Sequence, residues 1–146
     1  MASVLLFSSS VFAAAADNLP LAPDFTLEDV QGNKVNLAGY RGNQPAVLFF
    51  WTTWCPFCRD ALKALNARYD ELTKAGWKVI PIDIGESALK VNSFLKYNQL
   101  NFNVLLDTGL ATARSYGVVG VPTYVIINKD GVIAFRDNFL PEDFNG

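Results

Sequence analysis

The chain has 146 residues, 51% of them apolar and 18% charged, with a formal net charge of −2. That is the size of one domain with a core large enough to fold without metal or disulfide staples. No basic run offers nucleic acid or an anionic membrane an electrostatic footprint, and the absence of histidine removes the commonest metal ligand, general base and axial haem ligand.

Residues 1–16 join two apolar stretches, Val4-Leu5-Leu6-Phe7 and Val11 onward, ending in small residues before Asp17. This is the pattern of a secretory signal's end, although the basic segment that ordinarily precedes it is missing. The stretch is shorter than the roughly 20 apolar residues of a spanning helix, so 1–16 is read as a signal peptide or anchor remnant and 17–146 as the domain. Next, 25–27 and 34–37 flank Gln31-Gly32-Asn33 as a small hairpin. Residues 45–51 are a continuous apolar run of strand length, the pattern of a strand buried on both faces of a parallel sheet.

Trp54-Cys55-Pro56-Phe57-Cys58 follows directly. Cys58, Ala61, Leu62, Leu65, Tyr69 and Leu72 then share one face at helical spacing, with Gly76 placed to end the helix. A strand over 77–84 contains Pro81, which cannot donate to a ladder and predicts a local irregularity. Ser87 is a plausible N-cap for a helix with Ala88, Val91, Phe94 and Leu95 inward. A short strand at 103–106 and a brief helix at 110–116 lead to strands 123–127 and 132–135 around the turn Asn128-Lys129-Asp130-Gly131. Strands alternating with helices and closing in a hairpin predict an α/β sheet of mixed strand directions.

Two cysteines separated by two residues at a helix start lie one turn apart on one face, within bridging distance. There, unpaired N–H groups and the macrodipole favour an anion, so Cys55 is the expected nucleophile. It would attack a partner disulfide, and Cys58, deeper by one turn, would resolve the mixed disulfide. A purely structural disulfide is the alternative. Closing so short a loop contributes only about 2 kcal/mol against about 3 for fifteen residues, which makes the pair a poor staple. Two thiols supply half a zinc shell with no His or further Cys to complete it, Met1 is the sole methionine for soft copper, and Arg59 in place of a histidine excludes covalent haem attachment at the motif.

Ala22-Pro23-Asp24-Phe25-Thr26-Leu27, Phe50-Trp51-Thr52-Thr53-Trp54-Cys55-Pro56-Phe57-Cys58, Ile84-Gly85-Glu86-Ser87, Leu105-Leu106-Asp107 and Tyr116-Gly117-Val118-Val119-Gly120-Val121-Pro122-Thr123 occur in this order. Together they resemble the thioredoxin-like TlpA/ResA/DsbE group, exported oxidoreductases associated with cytochrome c maturation and related to the AhpC/TSA proteins. The resemblance implies a thioredoxin fold with an extra N-terminal β-hairpin, a central mixed sheet flanked by helices, and a C-terminal helix short or missing, with Pro141 to Phe144 as its possible start. It assigns Pro122 as a cis proline facing the cysteines, with the Val121 backbone pairing with an extended substrate segment. Trp54 and Pro56 join them as expected substrate contacts, an exposed tryptophan beside a thiol offering a flat apolar surface.

Departures from the family pattern bear on the proton path. Thioredoxin carries a buried Asp six positions before its first cysteine, where Phe49 stands here; ResA-like members carry a Glu where Ala61 stands. Asp60, about 100° round the helix from Ala61, and Glu86 remain as candidate relays, Glu86 being read chiefly as a solvated helix-start carboxylate.

The resemblance implies an enzyme that reduces disulfides in exported proteins, apocytochrome c among them, recharged by a membrane thiol donor. It would act as a monomer in the periplasm or on the outer face of the cytoplasmic membrane, with no cofactor beyond the Cys55–Cys58 disulfide and no metal. Alternatives are a disulfide oxidant or isomerase, a metallochaperone or binding module, and a thiol peroxidase. The last is disfavoured because Leu48 replaces the proline that peroxiredoxins place four residues before the Thr52 position.

Overall fold

Among the described residues, seven short strands rich in aliphatic and aromatic side chains alternate with amphipathic helices in three layers. The computed structural model describes residues 19–142. The 1–16 segment lies outside them, as do residues 143–146; Pro141 and Glu142 are not helical, and no helix follows the last strand among the described residues.

The hairpin of β1 (Thr26–Asp29) and β2 (Lys34–Asn36) leads into helix α1 (Leu37–Arg41). The strand expected over 34–37 stops at Asn36. Asn36 caps the helix, its side chain accepting from Gly39 N at 3.0 Å, and Leu37 turns into the core. There follow β3 (Ala46–Trp51), α2 (Pro56–Lys74), β4 (Lys78–Ile84), α3 (Ala88–Tyr97), β5 (Leu105–Asp107), α4 (Ala111–Ser115), β6 (Thr123–Ile127) and β7 (Ile133–Asp137).

The strands form one mixed sheet in the order β2-β1-β5-β4-β3-β6-β7. Two parallel crossovers carry the chain the same way across it, from β3 through α2 to β4 and through α3 to β5. The chain then returns by α4 to β6, antiparallel to β3, and closes in the β6–β7 hairpin, whose turn is held by Asn128 Oδ1 accepting from Asp130 N and Val132 N.

β3 lies inside the sheet between β4 and β6, and all six of its side chains are buried. They alternate between two cores. Val47, Phe49 and Trp51 pack with Leu62 and Leu65 of α2 and Val91 of α3, whereas Leu48 and Phe50 pack with Leu37, Ala113 and Tyr116 on the opposite face. Each large side chain so buried contributes about 1.5–3 kcal/mol. Pro81 introduces no irregularity, contrary to expectation: it pairs with Phe49 in an unbroken β3–β4 register. On its other flank β4 gains β5 only from Ile82 onward, so Pro81 stands where that flank has no ladder bond to lose.

Candidate active site

The site sits where β3 ends and α2 begins, at the C-terminal edge of the parallel strands. Cys55 is the N-cap of α2, with extended backbone (φ −82°, ψ 113°) and Pro56 at the first helical position, where a missing N–H costs nothing. Cys55 and Cys58 are joined in a disulfide with their Cα atoms 5.2 Å apart. Cys55 Sγ accepts from the Cys58 backbone N–H at 3.1 Å, and the first turn of α2 contains no acidic residue to oppose an anion there. Opening the disulfide therefore leaves a Cys55 sulfur already held by a helix N-terminus, which favours the thiolate. Cys58 is wholly buried, while Cys55 keeps a sliver of surface at 3% exposure.

Opposite the pair, the Val121–Pro122 bond is cis, and Cys55 Sγ lies 3.8 Å from the Val121 carbonyl oxygen. Thr123 Oγ1 donates to Gly120 O at 2.6 Å and Asn138 Nδ2 to Pro122 O at 2.7 Å, fixing both ends of this turn. Trp54 and Phe57 stand 66% and 76% exposed beside the disulfide, and Pro56, between Cys55 and Phe57 in the chain, is exposed as well. An apolar cavity of about 710 Å³ opens along Cys55, walled by Trp54, Phe57, Val118 and Val121.

Asp60 and Glu86 fare differently. Asp60 is exposed on the side of α2 away from the buried Cys58–Leu62–Leu65 stripe. Glu86 is buried, which corrects the solvated reading: its carboxylate accepts from the Thr53 backbone N–H and hydroxyl, at 2.8 Å each, and pairs with Lys90. Burial pushes the Glu86 carboxyl up, but hydrogen bonds from Asp83, Lys90 and Thr53 outweigh it and hold the group at about 2.

Sequence reasoning missed Asp83, hidden in an aliphatic strand. It is fully buried on β4 in register with Trp51, and Oδ1 accepts from Glu86 N at 3.2 Å. Burial first, then the hydrogen bond and repulsion from Glu86, raise it to about 8. Its Oδ2 is buried and has no hydrogen-bond partner among the described residues. Phe49, at thioredoxin's buried-acid position, packs on Tyr124 with ring centroids 4.7 Å apart, so the buried acid of this chain sits one strand over. Among the described residues, no group of three or more Cys, Asp or Glu side chains is placed to hold a metal.

A family model for AhpC/TSA proteins matches residues 20–136. The thiol-disulfide oxidoreductase ResA of Bacillus thuringiensis is 34% identical over 112 residues, covering 77% of this chain and 64% of that protein, and ResA of Bacillus subtilis is 33% identical over the same length, covering 62% of that protein. This chain thus spans less than two thirds of the length of those relatives. Among solved structures, a secreted Mycobacterium tuberculosis disulfide oxidoreductase homologous to E. coli DsbE superposes with a TM-score of 0.69 at 26% identity, covering 83% of this chain and 87% of that one. With its family match running from ahead of the hairpin to β7 and its cysteine pair capping α2, the chain belongs to the AhpC/TSA family, in the thioredoxin-like TlpA/ResA/DsbE group.

Proposed function

We propose that this protein is a thiol-disulfide oxidoreductase that exchanges disulfides with partner proteins through Cys55 and Cys58. The observation that carries the reading is Cys55 at the N-cap of α2, its sulfur accepting the Cys58 N–H while it borders an open apolar cavity. In the reductive direction the Cys55 thiolate attacks one sulfur of the partner disulfide, whose other sulfur leaves as thiolate. Cys58 then attacks Cys55 Sγ, releasing the partner as a dithiol and closing the Cys55–Cys58 bond. Trp54, Pro56 and the Val121–Pro122 turn form the contact surface for the partner chain.

The preferred direction is reduction. Phe57 between the cysteines brings no positive charge that would deepen thiolate stabilisation and make the pair strongly oxidising. The finer reading, supported by likeness to ResA and DsbE proteins, is an exported reductant in cytochrome c maturation that draws electrons from a membrane thiol donor. Among the described residues no helix is long and apolar enough to cross a membrane.

The reduction potential tests direction, by equilibration against thiol buffers followed by alkylation of free thiols. A value at or below the glutathione range of about −220 to −260 mV supports the reductant. A value well above it recasts the protein as an oxidant or isomerase.

A further inference from the structure

The cavity beside Cys55 is apolar but not electrically neutral. Among the described residues, Arg114 is the only charged one lining it, and no Asp or Glu does. Arg114 stands exposed in the last turn of α4, and among the described residues its guanidinium has no hydrogen-bond or ion-pair partner. The nearest preceding acid, Asp107, is committed elsewhere. It is 2% exposed and accepts from the Thr112 and Ala113 backbone N–H groups at 3.3 and 2.7 Å, capping α4 from below. The cavity thus presents one uncompensated cation on the same wall system as Cys55, Trp54 and Val121.

A single fixed charge in an otherwise apolar groove discriminates by attraction and by repulsion at once: an opposite charge on the incoming chain steers and holds it, and a like charge is rejected. Resting on the reading of this site as one of disulfide exchange, we propose that the cavity selects cysteine-containing segments of partner proteins that carry an acidic side chain beside the reacting cysteine. The flanking apolar part of the segment lies against Trp54 and Val121, and the carboxylate meets Arg114. An arginine near a helix C-terminus is also favourable toward the macrodipole alone, but that role leaves substrate choice untouched.

The test uses three peptides of one sequence, each closed by an internal Cys-x-x-Cys disulfide and differing only in a Glu, Gln or Lys next to it. Second-order rate constants are measured for their reduction by pre-reduced protein freed of reductant. Each turnover moves two electrons from the Cys55/Cys58 dithiol to the peptide disulfide. At low salt the Glu peptide reacts about fivefold faster than the Lys peptide, the scale of one partly exposed charge pair, with Gln between. About 0.5 M salt collapses the difference. Arg114→Gln equalises the three rates, Arg114→Glu inverts their order, and Arg114→Lys retains it. Equal rates with the wild-type protein, or an order that survives Arg114→Gln, overturn the charge preference while leaving disulfide exchange intact. If no peptide is reduced by the wild-type protein, the exchange reading fails and the preference falls with it.

Discussion

Glu86 holds Thr53 by two bonds at once, accepting from its backbone N–H and from its hydroxyl at 2.8 Å each, across 33 residues of sequence. Thr53 is two residues before Cys55, so the start of α3 and the loop that presents the nucleophile are fixed to each other through one carboxylate. Asp83 supports Glu86 from β4, and Lys90 neutralises its charge from the next turn of α3.

Removing that carboxylate strands buried donors. Glu86→Ala leaves the Thr53 N–H and hydroxyl without an acceptor, and each buried unsatisfied group costs about 1–3 kcal/mol. The substitution is expected to lower stability by about 2–4 kcal/mol, read as a shifted urea midpoint with unchanged slope. Glu86→Gln, which keeps one acceptor oxygen, is expected to lose less. A midpoint for Glu86→Ala equal to that of the wild type would show that the Thr53 bonds do not hold the loop.

Asp83 and Glu86 make opposite contributions to the pH dependence of stability. Asp83 has its folded pKa raised to about 8, so its stabilising proton is fully present below about pH 4 and is lost as pH rises through about 8. Glu86, lowered to about 2, contributes stability present above about pH 4.5 and lost as pH falls toward 2. Between about pH 4 and 8 the oxidised wild-type protein is expected to lose stability as pH rises, and Asp83→Asn to lose much less of it. Urea unfolding across that interval checks this, and parallel profiles for the two proteins would contradict it.

Trp54 is mostly exposed, so Trp54→Ala removes little packing and is expected to change stability by less than about 0.5 kcal/mol. Its loss is expected to raise KM for a protein disulfide several-fold while leaving the rate with a small disulfide such as oxidised glutathione nearly unchanged. Equal losses with both substrates would assign Trp54 to the chemistry around Cys55 instead of to the partner surface.

What was legible in the sequence was what local pattern encodes. The unbroken apolar run of β3, the helical stripe from Cys58 to Leu72 and the Asn128–Gly131 turn each carry their own periodicity or turn chemistry, and all three stand where the pattern put them. The cysteine pair was legible because its chemistry depends on a helix start that the same pattern supplied. Glu86 was misread because its burial depends on Thr53, brought near by the β3–α2–β4 crossover and invisible along the chain. Asp83 was passed over because a polar residue amid Val, Ile and Pro reads as a strand's solvent face, whereas β4 is central and covered on both faces. Helix α1 was missed because five residues carry too little periodicity to separate them from the strand before them.

The most direct test of disulfide exchange through Cys55 and Cys58 is covalent trapping. Reduced Cys58→Ser protein, incubated with insulin and resolved without reductant, is expected to form a mixed disulfide through Cys55 that a small thiol releases. Cys55→Ser should form none, and the wild type should reduce insulin without accumulating adduct. An adduct on Cys55→Ser but not on Cys58→Ser, or insulin reduction by wild type with no trapped species on Cys58→Ser, would contradict the assigned roles.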